Sequence, residues 1–158
     1  MTPIAYCTEE VTRQGHNILC LDGIRQVGWM INAWEYALMQ VQNNGQDQPT
    51  IADVLAIGAR VEQIKNVGGI RHCNVYVGSH ACPAPHQLNR LLVELFEALR
   101  DDQYEGDPIA FYKAFEEVHC FEDGNGRTGK VLLNWVNGSL LRPIFPPNNL
   151  WGRPIRNP

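Results

Sequence analysis

The chain has 158 residues, which suits one domain built around a single hydrophobic core. Hydrophobic residues make up 44% and charged residues 19%, a composition typical of a globular protein and not of a disordered chain. With a formal net charge of −4, the protein lacks the basic excess that attracts nucleic-acid phosphates, so we expect no nucleic-acid partner.

The termini and the cysteines bear on the compartment. No apolar run approaches the ~20 residues that a membrane span requires. The first residues lack the basic and then apolar pattern of a secretory signal. Five scattered cysteines fit reduced thiols better than a disulfide framework. We therefore expect a cytoplasmic protein without membrane contact, and export without a cleaved signal stays open as the alternative.

The first half of the chain predicts two helices. Residues 1–24 show no clear period and receive no predicted element. Apolar residues from about Val27 to Gln42 fall on one helical face, and Asn43-Asn44-Gly45 ends that helix. Thr50, with Asp53 three residues later, is typical of a capped helix start, and this helix is predicted to reach about Lys65.

The segment from Ile70 to Val77 is the only convincing strand signal. Val75, Tyr76 and Val77 favour extended chain, and Gly78-Ser79 offers a turn. These residues predict a small β-hairpin on an otherwise helical domain.

Three further helices are predicted after the hairpin. Pro83 and Pro85 lead into a helix with a leucine-rich stripe, and Asp107-Pro108 is a favourable start for the next, which should end near Phe121. A last helix is predicted from about Arg127 to Leu141. The tail 143–158 holds five prolines and is expected to be extended over the surface. The expected fold is mainly α, a single domain over residues 1–158 with its core between about 27 and 150.

The stretch between the last two helices contains the parts of a phosphate-handling site. Gly124 and Gly126 allow the backbone to approach a phosphate closely, at the start of a helix whose free N–H groups attract anions. Asn125 adds an amide, and Arg127 and Lys130 add positive charge one helical turn apart.

Two residues beside this turn predict the chemistry. Asp123 is placed to hold a divalent cation such as Mg²⁺, which commonly needs only one or two carboxylates. His119 ends the preceding helix, where it can accept a proton from an incoming hydroxyl. The twelve residues from His119 to Lys130 therefore predict phosphoryl or nucleotidyl transfer.

This segment resembles the Fic/Doc signature His-x-Phe-x-(Asp/Glu)-Gly-Asn-Gly-Arg-x-x-Arg. The resemblance implies that His119 is the general base, Phe121 a buried anchor and Asp123 the Mg²⁺ ligand. The remaining matched residues would cradle the nucleotide phosphates: Gly124, Asn125, Gly126 and Arg127. Gly124 and Gly126 go with transfer of AMP in that family, so the resemblance implies an adenylyltransferase that moves AMP from ATP to a Ser, Thr or Tyr hydroxyl of a target protein.

The resemblance extends to the hairpin and also shows one departure. Arg71 and the segment Val75-Tyr76-Val77-Gly78 look like the family's flap, which docks an extended segment of the target by backbone pairing. Lys130 stands where the family usually has a second Arg, which keeps the charge but loses the two-pronged grip on a phosphate. The Ser/Thr-x-x-x-Glu-Gly/Asn pattern of the family's inhibitory helix is not found, so we expect a separate antitoxin-like inhibitor or none.

Other interpretations stay open. A Doc-like kinase, another nucleotidyl transfer, or a catalytically weak nucleotide-binding interaction module would use the same turn. A zinc site in the cysteine- and histidine-rich stretch is disfavoured by its spacing, Cys73-x6-His80-x-Cys82-x3-His86.

Overall fold

The computed structural model describes residues 1–151. Within that range the protein is mainly helical with one small antiparallel hairpin, as the sequence predicts. The helices are α1 (Pro3–Arg13), α2 (Leu21–Asn44), α3 (Ile51–Val61), α4 (Leu88–Arg100), α5 (Pro108–Val118) and α6 (Asn125–Val136), with one 3-10 turn at Pro85–Gln87 before α4. The strands are β1 (Tyr76–Val77) and β2 (His80–Ala81).

Helix α1 lies in the segment for which the sequence predicted no element. Thr2 caps it by accepting a hydrogen bond from the Ala5 N–H at 3.2 Å, and Pro3 occupies its first turn. Its buried face contains Glu10 beside apolar residues, so a charge interrupts the apolar period. The Thr2-Pro3 pair was the local signal that could have found this helix.

The boundaries of α2 and α3 correct the predicted ones. Helix α2 begins at Leu21, six residues before the predicted start. Its first turns escaped the apolar pattern because Leu21 is 86% exposed. The Thr50–Asp53 capping box is present, but α3 ends at Val61 and not near Lys65.

Helix α6 is the central helix of the fold. Every residue from Asn125 to Trp135 is buried, and α6 packs against α2, α3 and α5. It begins two residues before the predicted start and ends at Val136, whereas the prediction continued it to Leu141. Gly138, with φ +68°, follows the end of α6 and is the local signal for the earlier stop.

The tail packs back onto the first helix. The Tyr6 hydroxyl donates to the Ile144 carbonyl at 2.8 Å, and the ring of Phe145 stacks on Tyr6 with centroids 4.0 Å apart. The predicted tail continues to residue 158, but residues 152–158 lie outside the described part of the chain. None of the helices within residues 1–151 combines the length and hydropathy that a membrane span needs.

Candidate active site

The predicted glycine turn opens the buried helix α6. Gly124 stands at the N-cap with φ +75°, a conformation that glycine adopts without strain. A Cβ placed on Gly124 would lie 2.8 Å from the Val61 side chain, so the turn also needs a residue without a side chain. The N–H groups of the first turn of α6 therefore converge at a tightly packed helix start, which favours an anion.

The loop before the turn is held by Asn125 and Phe121. The Asn125 side chain accepts a hydrogen bond from the Phe121 N–H and donates one to the Phe121 carbonyl, both at 2.9 Å. The amide that the sequence assigned to a phosphate is thus used to shape the loop. Any contact of Asn125 with a phosphate falls to its backbone N–H.

Phe121 is fully enclosed, as expected of an anchor. Its ring lies against Gly58 of α3 so closely that a Cβ on Gly58 would come within 2.1 Å of the ring. This contact ties the loop to α3, and Gly58 was not recognised from the sequence because a glycine inside a helix gives no signal of what packs on it.

His119 closes α5 in the left-handed conformation, with φ 48° and ψ 56°. The residue is 8% exposed. Burial, together with the charge of Arg71, lowers the pKa of His119 below its ordinary value, although a backbone hydrogen bond with Glu116 and the charge of Asp123 act in the opposite direction. The imidazole is therefore neutral at pH 7, the form that a general base requires.

Arg71, which the sequence placed in the docking flap, has a buried side chain. The side chain is 3% exposed, and its guanidinium donates to the carbonyls of His119 at 2.7 Å, Cys73 at 3.0 Å and Pro83 at 2.7 Å. Arg71 therefore joins the base of the hairpin to the loop that carries His119. A buried guanidinium with three carbonyl partners serves to position the loop.

The hairpin itself is short and open to solvent. Tyr76 pairs with Ala81 and Val77 with His80, around the turn at Gly78 with φ +61°. Tyr76 is 65% exposed, and Val75 and Val77 are half-buried.

Asp123 lies beside the glycine turn and is surrounded by donors. Its Oδ1 atom accepts from the Gly124 N–H at 2.7 Å, and its Oδ2 atom lies 3.2 Å from the Lys65 ammonium. Burial alone would raise the pKa of Asp123, but the bonds from Gly124 and Lys65 and the charge of Arg127 bring the pKa below its usual value. The carboxylate is ionised at neutral pH.

An ionised carboxylate at a phosphate-binding turn fits the donor chemistry of Mg²⁺. Among residues 1–151, no group of three or more His, Cys, Asp or Glu side chains is placed to hold a metal ion. A cation at Asp123 would therefore depend on phosphate and water oxygens for the rest of its ligands.

Lys65 and Asn66 are site residues that the sequence did not indicate. Lys65 pairs with Asp123, which raises the pKa of Lys65. Asn66 is fully enclosed and donates to the Asp123 carbonyl at 2.8 Å and to the Gly58 carbonyl at 3.1 Å. Both residues follow the end of α3, at the point where the predicted helix reached about Lys65.

Arg127 and Lys130 occupy different environments although they are one helical turn apart. Arg127 donates to the Gln26 side chain on α2, and its guanidinium lies 3.7 Å from Asp123. The Lys130 ammonium lies 2.8 Å from the Glu10 carboxylate on α1, and its side chain is only 2% exposed. This ion pair engages the Lys130 ammonium inside the fold, whereas the sequence predicted a contact with phosphate.

Glu116 is the third ionisable group near Lys130. One of its carboxylate oxygens is enclosed without a hydrogen-bond partner among the described residues. Burial raises the pKa of Glu116 to about 7, Lys130 lowers it and Glu10 raises it further. The interior between α1, α5 and α6 therefore holds two carboxyl groups and one ammonium.

The fold is thus a helical domain in which a buried histidine precedes a glycine-capped central helix. A model of the Fic/DOC family matches residues 48–136, more than half of the chain. The protein belongs to the Fic/DOC family.

Curated relatives and a solved structure agree with this assignment. The chain is 35% identical over 109 residues to "Protein adenylyltransferase Fic" of Drosophila willistoni, covering 62% of this chain and 21% of that protein. It is 36% identical over 110 residues to "Protein adenylyltransferase fic-1" of Caenorhabditis elegans, covering 64% and 21%. The solved structure of a part of Fic-1 from Caenorhabditis elegans superposes with a TM-score of 0.66 at 25% identity, over 88% of this chain and 44% of that one. The chain thus spans about a fifth of the length of the curated relatives that it matches.

Proposed function

We propose that this protein transfers AMP from ATP to a hydroxyl group of another protein. The observation that carries the proposal is His119, a buried and neutral imidazole set five residues before the glycine turn that opens α6. The family assignment and the printed names of the relatives support the same activity.

In the proposed reaction, His119 takes the proton from a Ser, Thr or Tyr hydroxyl of the target. The hydroxyl oxygen then forms a bond to the α-phosphorus of ATP, and the bond from that phosphorus to the bridging oxygen breaks, so that pyrophosphate leaves. The N–H groups of Asn125 and Gly126, at the start of α6, hold the phosphates. Mg²⁺ held by Asp123 would neutralise charge on the leaving pyrophosphate.

Arg127 and Lys130 contribute unequally to this proposal. Arg127 lies directly beneath the turn and is charged at any physiological pH. Lys130 is matched by the Glu10 carboxylate, so the net charge that it offers a phosphate is close to zero. We therefore include Arg127 in the phosphate site and leave Lys130 out of it.

The hairpin is the proposed docking edge for the target. Its residues Val75 to Gly78 are exposed or half-buried, and two-residue strands leave backbone groups available for pairing with an extended segment. Arg71 fixes the base of this edge to the loop of His119, so that a docked segment would lie near the base.

The test is transfer of radiolabel from ATP carrying the label on its α-phosphate. We expect the wild type to label a protein in a lysate, and His119→Ala to label it at least about 100-fold more slowly. His86→Ala, which replaces an exposed histidine outside the segment from His119 to Lys130, is the control and should label the protein at the wild-type rate. Mass spectrometry of the labelled protein would identify the added group and the modified side chain.

Two results would contradict the proposal. Label that moves only from the γ-phosphate would indicate a kinase, the nearest alternative. ATP binding by calorimetry without transfer of either label would indicate a nucleotide-binding module.

If the transfer is found, impaired growth of cells that express the wild type but not His119→Ala would support an antitoxin-like inhibitor, and equal growth of both would count against it.

A further inference from the structure

The two cations of α6 are held by residues that precede the segment matched to the family. Arg127 is held by Gln26 on α2, and Lys130 by Glu10 on α1, whereas the family match begins at residue 48. The two partners differ in charge. Glu10 is a carboxylate and neutralises its lysine, but Gln26 is neutral and leaves the charge of its arginine unchanged.

The Gln26–Arg127 contact is buried and lies directly under the glycine turn. Gln26 is 5% exposed and Arg127 is 1% exposed. The Arg127 guanidinium donates to the Gln26 side-chain oxygen and, at 3.5 Å, to the Val61 carbonyl. Its Nη2 atom lies 3.4 Å from the position that a Cβ on Gly124 would take. The contact therefore fixes a positive charge immediately beneath the proposed phosphate site.

An amide suits this position better than a carboxylate. Burial lowers the pKa of Arg127, but a guanidinium remains protonated, so it attracts anions from beneath the turn. Asp123, Glu62, Glu10 and Asp22 already act on Arg127 with negative charge. A further carboxylate in direct contact would cancel more of that attraction, since charges interact strongly where water is excluded.

We propose that Gln26 is a positioning residue of the phosphate site, which holds the Arg127 guanidinium under the Gly124 turn without neutralising it. The inference rests on the proposed function, because it assumes that the turn binds the phosphates of a nucleotide. Gln26 itself does not contact the substrate in this proposal.

The test compares two substitutions that separate the hydrogen bond from the charge. Gln26→Leu removes the acceptor, and Gln26→Glu keeps an acceptor but adds a carboxylate. We expect both to raise the dissociation constant of ATP, measured by calorimetry, by about tenfold or more. Binding of adenosine, which has no phosphates, should change less than about twofold. Gln42→Leu, on the exposed part of the same helix, is the matched control and should bind ATP like the wild type.

Gln26→Glu distinguishes a positioning role of Gln26 from a purely structural one. If Gln26 only stabilised the fold, glutamate would keep or strengthen the contact with Arg127 and leave ATP affinity unchanged. We expect instead that its melting temperature stays near that of the wild type while ATP affinity falls. In the background of Arg127→Ala, Gln26→Leu should not change ATP affinity further.

Failure of this inference is distinguishable from failure of the proposed function. A wild type that binds ATP while Gln26→Leu and Gln26→Glu bind it equally well would overturn the inference and leave the proposed function intact. A wild type that binds no ATP would overturn both. Restricted rotation of the Arg127 guanidinium, observed by NMR in the free protein, is expected to be lost in Gln26→Leu, and its persistence would also contradict the inference.

Discussion

Replacing Lys130 with methionine tests whether this side chain stabilises the fold through Glu10 or binds a phosphate of ATP. The ammonium lies 2.8 Å from the Glu10 carboxylate, with the two side chains 2% and 0% exposed. Methionine keeps most of the apolar stem and removes the charge. The Glu10 carboxyl group would then be enclosed in the core without its partner, close to Glu116, whose enclosed oxygen lacks a hydrogen bond among the described residues.

The size of the effect follows from the burial of the pair. Removing one partner of a buried ion pair typically costs about 3–5 kcal/mol, because the other charge is left desolvated. A domain of this kind has only about 5–15 kcal/mol of stability in total. For a chain of this length each kcal/mol lowers the melting temperature by roughly 2–4 °C, so we expect Lys130→Met to melt roughly 6–20 °C below the wild type.

Urea unfolding followed by tryptophan fluorescence provides the assay. Trp34 and Trp135 are both buried and report the loss of the core. The matched control is Lys65→Met, whose ammonium also pairs with a carboxylate, at 3.2 Å, but whose side chain is 52% exposed. An exposed pair contributes about 0–1 kcal/mol, so the control should remain close to the wild type in stability.

A double substitution strengthens the test. Glu10→Leu combined with Lys130→Met replaces both charges by apolar groups and should recover most of the lost stability. If Lys130→Met instead unfolds like the wild type and loses affinity for ATP, Lys130 binds a phosphate as the sequence predicted, and the reasoning from its burial is refuted.

Two further predictions concern Glu116 and Gly124. Since burial raises the pKa of Glu116 to about 7, above its value of 4.5 in an unfolded chain, the bound proton favours the folded state. That contribution is up to about 3 kcal/mol; it is complete below the unfolded pKa and is lost as the pH rises through about 7. Glu116→Gln should therefore flatten the decline in the free energy of unfolding between pH 5 and pH 8. An unchanged decline would contradict this prediction. Gly124→Ala, at φ +75° with its Cβ 2.8 Å from Val61, should destabilise by about 2–4 kcal/mol and weaken ATP binding. Gly138→Ala, at φ +68° with no atom within 4 Å of the Cβ, provides the control in thermal melts and should show only the smaller backbone cost; equal losses in the two variants would contradict the packing argument.

The parts of the fold that could be predicted from the sequence are those with local signals. Thr50 and Asp53 form their capping box, and Asp107 accepts a hydrogen bond from the Ala110 N–H at 3.1 Å as a helix cap should. Gly78 turns the hairpin with the positive φ expected of it. In each case the residues that determine the structure lie within four positions of one another, so the sequence alone contains the cause.

The parts that could not be predicted depend on partners far apart in the chain. Arg71 and His119 are 48 positions apart, and Gln26 and Arg127 are 101 positions apart. Glu10 gave no signal, because a glutamate on a helix is ordinarily solvated and only the position of Lys130 explains its burial. A motif predicts which residues lie together at a turn. It does not predict which of them form hydrogen bonds or ion pairs with residues elsewhere in the fold.

The recognisable motif therefore divides into residues that shape the turn and residues that remain available for the proposed reaction. Asn125 and Phe121 bind the loop to itself, and a rigid loop keeps His119 at a fixed distance from the start of α6. The charges beneath the turn depend on Gln26 and Glu10, which lie before residue 48. Without Gln26, Arg127 would keep only its longer contacts with Val61 and Asp123. Without Glu10, the enclosed Lys130 ammonium would lose its carboxylate, a costly arrangement in a buried helix. Helices α1 and α2 are thus part of what sets the electrostatics of the site, even though the family resemblance is carried by the segment that follows them.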